Sequence, residues 1–243
     1  MNIIIIGATS GIGRALFEKY AVDGNCIGIV GRRANLLDEQ YKQHPDNTFT
    51  STADITKQEE IEQAIHTLCA KLKHIDLAIV CSGTGDLNPS LDYALECPAI
   101  DTNVKGWTFV IDTLYHIFEQ QGFGHLVAIT SIGWLRGEPM APANSAAKAY
   151  HINYMEALRK KAFKSGVHIT VTDIRPGLVD TAMAKGDGLF WVMPVNKVAN
   201  QIISAIRKKK TKHTSPNDGI FSPSSIRIYH STCIDYCSII RVR

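Results

Sequence analysis

The sequence predicts an α/β protein: a single Rossmann-type domain with a doubly wound parallel sheet, in three layers, α/β/α. Three observations predict it. Short apolar runs alternate with longer segments of helical period along most of the chain. The runs are continuously apolar rather than alternating, as strands buried on both faces of a parallel sheet must be. The first run leads directly into a glycine-rich turn, "GATSGIG", and then into an amphipathic segment. A length of 243 residues suits one α/β unit with one large core.

The elements follow in order. "NIIII" is the first strand, with a helix over 12–23; "CIGIV" is the second, with a helix over 34–43; "TFTSTA" precedes a helix over 57–73. "IDLAIV" leads to a helix over 103–120, "HLVAIT" to a helix over 144–165, and "HITVTDI" to a last helix over 195–208. After Lys210 the alternation gives way to Ser, Thr, Pro and isolated apolar residues. Residues 1–208 are therefore expected to form the domain, and 209–243 a poorly ordered or loosely packed tail. The basic run "RKKKTK" suits the solvated end of the last helix, where the dipole favours cations; contact with phosphates or an anionic surface is its other reading.

Composition narrows the partners. A net charge of +3 with 20% charged and 45% hydrophobic residues gives no overall attraction to nucleic acid. The apolar opening stops at Gly7, too short for a membrane span, and no cleavable leader precedes it. A cytoplasmic protein is expected. Of six cysteines, 26, 69, 81 and 97 fall in apolar segments where a buried thiol is the usual explanation. Cys233 and Cys237 are spaced as a pair but lack further ligands at metal spacing, so no metal is expected.

In such sheets, ligands bind beyond the carboxyl ends of the strands. Gly7, Gly11 and Gly13 sit between the first strand and its helix, where glycines let backbone N–H groups approach a pyrophosphate. The spacing G-x-x-x-G-x-G resembles that of the short-chain dehydrogenase/reductase family, with Ile6 standing where relatives carry threonine. The resemblance runs over roughly residues 1 to 208. It implies a nicotinamide cofactor held by Gly7, Thr9, Ser10, Gly11, Ile12 and Gly13.

The second strand ends in "GRR". A site for NAD(H) wants a carboxylate there for the ribose 2′-hydroxyl, whereas Gly31 and Arg32 suit a 2′-phosphate. NADP(H) is expected over NAD(H), with Arg32 and Ser10 near the phosphate. Asp54 in "TADIT" matches the family's aspartate beside the adenine amino group, with Ile55 next to it; an N-cap role is the alternative. "VCSG" stands in place of the family's N-N-A-G and keeps Gly83. "RPGLVDTAM" matches the loop P-G-x-x-x-T, so Pro176, Gly177, Val179 and Thr181 are expected at the nicotinamide carboxamide.

The catalytic set is incomplete. The resemblance places Asn103 at the family's helix-kinking asparagine, Ser131 at the carbonyl-polarising serine and Lys148 at the ribose-binding lysine. At the tyrosine position, thirteen residues after Ser131 and one turn before Lys148, stands Asn144, which cannot exchange a proton near neutral pH. Tyr150 and Tyr154 lie about 200° and 240° around the helix from Lys148, and His151 lies roughly 10 Å along the axis from Asn144. None of them replaces the acid.

Two loops, 134–143 and 183–194, should frame the substrate pocket. Trp134, Met140, Met183, Phe190 and Trp191 give it an apolar surface, and Gly186 and Gly188 a mobile loop. The expectation is therefore an NADP(H)-dependent oxidoreductase for an apolar carbonyl or alcohol, impaired at proton transfer, acting as a homo-oligomer. The alternatives are a non-catalytic NADP(H)-binding sensor or regulator, and an ordinary enzyme damaged at position 144.

Overall fold

Ile3, Ile4, Ile5 and Ile6 are all fully buried, because the first strand is hydrogen-bonded on both sides and covered on both faces. In the computed structural model, which describes residues 1–132, 137–184, 192–210 and 212–215, seven parallel strands form one sheet in the order β3-β2-β1-β4-β5-β6-β7. The strands are β1 (Asn2–Ile6), β2 (Cys26–Gly31), β3 (Thr48–Thr52), β4 (Leu77–Val80), β5 (Phe123–Ile129), β6 (His168–Pro176) and β7 (Lys212–Ser215). The strand order reverses between β1 and β4, so a crevice opens at their carboxyl ends.

Alternate side chains of β1, β4 and β5 feed two cores. Ile4 and Ile6 pack with α3 (Gln58–Leu72), α5 (Trp107–Gln121) and α6 (Pro142–Ser165); Ile3 and Ile5 pack with α1 (Gly11–Val22), α2 (Ala34–Gln43) and α7 (Val195–Arg207). These are the expected three layers. Among the described residues no helix is long and apolar enough to cross a membrane.

Three details differ from expectation. The helix expected over 103–120 is the last part of a longer run, preceded by α4 (Tyr93–Ile100) and a π-helical turn (Asp101–Gly106). Asp92 caps α4 by accepting from Ala94 N–H at 2.9 Å. Gly106 lies so close to the Ile55 carbonyl that a Cβ would sit 2.5 Å from its oxygen. β7 has no apolar signature in the sequence; its four polar residues pair with Asp173 to Pro176 through the backbone. Thr172 Oγ1 holds the approach to β7 by donating to the Lys210 carbonyl at 2.6 Å. The rest of the expected tail, with Cys233 and Cys237, lies outside the described residues. Finally, Cys26 is exposed at the start of β2 and Cys69 and Cys97 are half-buried, whereas the Cys81 thiol is buried as expected.

Candidate active site

At the carboxyl ends of β1 to β6 lies a cleft of about 600 Å³. Its first wall is the turn from β1 into α1. Gly7 has φ +86° and donates to the Val30 carbonyl at 2.9 Å, and a Cβ on it would sit 2.6 Å from Ser82 N. A Cβ on Gly13 would overlap the Gly7 carbonyl oxygen, so both positions demand glycine. Gly11, at φ +53°, faces the Thr181 methyl group and so joins this turn to the loop after β6. Thr9, Ser10, Gly11 and Ile12 also line the cleft. No side chain caps α1, which leaves first-turn N–H groups free to meet an anion.

Beyond β2 the structure changes the expected pairing. Arg33, not Arg32, reaches Ser10: its Nη2 donates to Ser10 Oγ and to Thr9 Oγ1, each at 2.7 Å. Arg32 turns to Asp54, with Nη1 3.6 Å from Oδ2. Both arginines line the cleft. The signal for Arg33 was present in "GRR", but the sequence could not say which guanidinium turns inward. Gly31 is tight as well, since a Cβ there would lie 2.6 Å from the Thr9 methyl group.

Asp54 closes a turn and does not cap α3: Oδ1 accepts from Thr56 N and from Thr56 Oγ1, each at 2.9 Å. Burial works against its charge, but the two Thr56 hydrogen bonds and the Arg32 guanidinium hold the carboxyl below its usual range. Ile55, buried beside it, and Gly83 also line the cleft.

Asn103 sits behind the cleft rather than in its wall. Its side chain is locked to the backbone of residue 84: Oδ1 accepts from Thr84 N at 2.9 Å and Nδ2 donates to Thr84 O at 2.6 Å. Nδ2 also faces Asn144 Oδ1 at 3.4 Å. His151 Nε2 donates to the Asn103 carbonyl, and its ring stacks on Trp107 at 3.9 Å between centroids. Burial, reinforced by Lys148, pushes the His151 pKa far down and keeps the ring neutral.

Ser131, Asn144 and Lys148 do line the cleft together. Lys148 Nζ donates to the Ile129 carbonyl at 3.2 Å, and a Cβ on Gly83 would be 3.7 Å from it. Burial pushes its ammonium down to about 8, against weaker opposing effects of Cys81 and Asp173. Burial likewise raises the Cys81 thiol to about 12, so the cysteine next to Lys148 is neutral. Tyr150 and Tyr154 turn to α5, meeting Thr108 Oγ1 at 2.8 Å and Asp112 Oδ1 at 2.7 Å. As expected from their angular positions, they are packing residues.

The loop after β6 supplies the opposite wall through Pro176, Gly177, Val179 and Thr181. It is pinned by a bridge between Val179 and Met193, in which Met193 N donates to Leu178 O and Asp180 N to Met193 O, each at 2.9 Å. Met183 lines the cleft and is 45% exposed, and Met140 is 42% exposed. Trp134, Gly186, Gly188, Phe190 and Trp191 lie outside the described residues. Leu178, Ala182, Thr130 and Ser82, next to the expected site residues but with no role assigned to them, also line the cleft.

Comparison with known proteins agrees with this geometry. A family model described as short chain dehydrogenase matches residues 1–188. An uncharacterized oxidoreductase of Staphylococcus haemolyticus is 31% identical over 226 residues, which cover 90% of this chain and 96% of that protein. One from Mycobacterium tuberculosis is 26% identical over 225 residues, 88% of each chain. A short-chain dehydrogenase from Sphingobium yanoikuyae in complex with NADPH superimposes with a TM-score of 0.81 at 20% identity, over 99% of this chain and 96% of that one. The closed form of a serine dehydrogenase complexed with NADP+ gives 0.80 at 21% identity, over 91% and 99%. At such identities these two structures speak to the fold.

Proposed function

The chain belongs to the short-chain dehydrogenase/reductase family, and from that premise we propose that its cleft binds NADP(H) and exchanges a hydride with an apolar carbonyl or alcohol. The observation that carries the cofactor reading is the Arg33–Ser10–Thr9 cluster beside Gly31. One guanidinium and two hydroxyls converge where a 2′-phosphate would sit, and no carboxylate ends β2. Two structures of the same fold carry NADPH or NADP+, which supports this choice.

The residues present fit the group. Gly7 and Gly13 leave a cradle that a Cβ would fill, and the free first turn of α1 suits the pyrophosphate. Asp54 and Ile55 would flank the adenine, Lys148 the nicotinamide ribose, and Pro176, Gly177, Val179 and Thr181 the carboxamide. When bound, the nicotinamide supplies or accepts the hydride. Ser131 polarises the substrate carbonyl, and Met140 and Met183 offer it apolar contact. Position 144 carries no ionisable group, so turnover is weak.

A sensor or regulatory role is the second reading, favoured by the same asymmetry: the cofactor wall is complete while Asn144 cannot carry a proton. The test is NADPH-dependent reduction of apolar ketones and aldehydes by the purified protein. Slow but saturable turnover supports the enzyme; tight NADPH binding with no oxidation across the panel supports the sensor.

A further inference from the structure

Hydrogen bonding fixes which way the Asn144 amide points. Asn103 Oδ1 accepts the Thr84 N–H, so its other end must be the NH2 group, which donates to the Thr84 carbonyl and faces Asn144. An NH2 group needs an acceptor, so the atom of Asn144 facing it at 3.4 Å is the oxygen. The Asn144 nitrogen therefore turns the other way, toward Gly85, where a Cβ would sit 2.7 Å from it. Because residue 85 has no side chain, this nitrogen has none filling the space beside it on that side. It has no hydrogen-bond partner among the described residues, although Asn144 is only 8% exposed. Gly85, Ser131, Asn144 and Lys148 all line the cleft.

Resting on the reading that this cleft reduces a carbonyl, we propose that Asn144 is a catalytic residue in its own right: its amide N–H, with the Ser131 hydroxyl, binds the substrate carbonyl oxygen, and the Lys148 ammonium delivers the proton. The balance is simple. A hydride from the reduced nicotinamide adds to the carbonyl carbon, and the C=O π pair moves onto oxygen. That oxygen takes one proton from Lys148 Nζ, giving the alcohol and a neutral amine, which regains a proton from water. Asn144 stabilises the developing negative charge and transfers nothing; its orientation is set before substrate arrives, which is what such a donor requires.

The surroundings of Lys148 suit the acid role. One of its hydrogens is committed to the Ile129 carbonyl, which leaves two. The groups facing it are the neutral Cys81 thiol after β4, the Asp173 carboxylate on β6 and the neutral His151 on its own helix. Asp173 is already held by Thr130 Oγ1 and by Arg175 Nε, each at 2.6 Å, so it does not lock the ammonium in an ion pair. Burial sets the ammonium near about 8, where a group can give up a proton and recover it.

Carbonyl-labelled acetophenone bound beside NADP+ provides a spectroscopic test, and its NADPH-dependent reduction a kinetic one. The wild-type protein should lower the C=O stretching frequency of the bound ketone, and Asn144→Ala should return it toward the free value. In Asn144→Ala, kcat should fall about 10²–10³-fold. NADPH affinity and the limb at about 8 in the pH–rate profile should stay as they are. Asn144→Asp, which keeps the shape and has no hydrogen to donate, should lose as much. A variant with wild-type stretch and kcat overturns the proposal, as does a wild-type protein that binds NADPH and leaves acetophenone unreduced; both leave the cofactor reading intact. Absence of NADPH binding overturns the cofactor reading itself, and the proposal with it.

Discussion

Arg33 Nη2 lies 2.7 Å from Ser10 Oγ and 2.7 Å from Thr9 Oγ1, tying the end of β2 to the glycine turn after β1. This guanidinium is held in place before any ligand arrives, whereas Arg32 pairs loosely with Asp54 at 3.6 Å. Arg33→Ala should therefore weaken NADPH binding by about 10–100-fold, the value of a charge-assisted hydrogen bond, and leave NADH nearly unchanged. Arg32→Ala should cost less. Fluorescence titration of both nucleotides checks this; equal losses for NADPH and NADH would remove the 2′-phosphate from the account.

Gly13 is the tightest point of the cradle. Gly13→Ala should lose NADPH binding by more than about 10-fold and lower the unfolding midpoint, since its Cβ and the Gly7 carbonyl cannot both keep their places. Gly137→Ala is the control, because its Cβ would meet nothing within 4 Å among the described residues. Thermal unfolding and titration of the two variants side by side decide it. A Gly13→Ala protein that binds normally would show the turn to be looser than drawn.

Restoring a tyrosine should help little. His151 already donates to the Asn103 carbonyl, and the amide of Asn103 is oriented for Asn144, so the surroundings of position 144 are tied up by hydrogen bonds that suit an amide. Asn144→Tyr should therefore gain less than about 10-fold in turnover. A gain of about 10²–10⁴, the usual worth of a positioned general acid, would mean instead that the chain is a damaged member of an ordinary lineage.

Stability should fall in mild acid. Thr172 Oγ1 gives its hydrogen to Lys210 O, so it accepts from His125 Nε2, 2.8 Å away, and the buried ring is neutral. Burial, helped by Lys209, lowers His125 from 6.5 to about 4. The unfolded chain then binds the extra proton first. The stabilisation is fully present above about 6.5 and is lost as pH falls toward about 4, a change of about 3 kcal/mol. His151 acts in the same direction. Urea unfolding across this range should show the loss, and His125→Gln should flatten it; an unchanged slope in the variant would place the acid sensitivity elsewhere.

The sequence made the sheet legible because β1, β2, β4 and β5 are largely apolar runs and β3 and β6 continue their alternation with helices, and the carboxyl ends of these strands carry residues that line the cleft. What it could not show depends on backbone or on side-chain direction. The strand "KHTS" is built by hydrogen bonds to β6 and carries no apolar signature. The π turn around Asn103 ends at Gly106, which packs on Ile55, a contact between distant segments that spacing cannot show. The choice of Arg33 over Arg32, and the direction of the Asn144 amide, follow from hydrogen bonds between residues 23 and 41 positions apart. Spacing found the residues; only the fold could orient them.

The central claim is that the cleft from Gly7 to Thr181 is a dinucleotide site with a preference for the 2′-phosphate. Titration of the purified protein with NADPH and NADH, followed by nucleotide fluorescence, tests it most directly. Saturable binding of NADPH, at least about 10-fold tighter than NADH, is the predicted result. No saturable binding of either nucleotide would contradict the account.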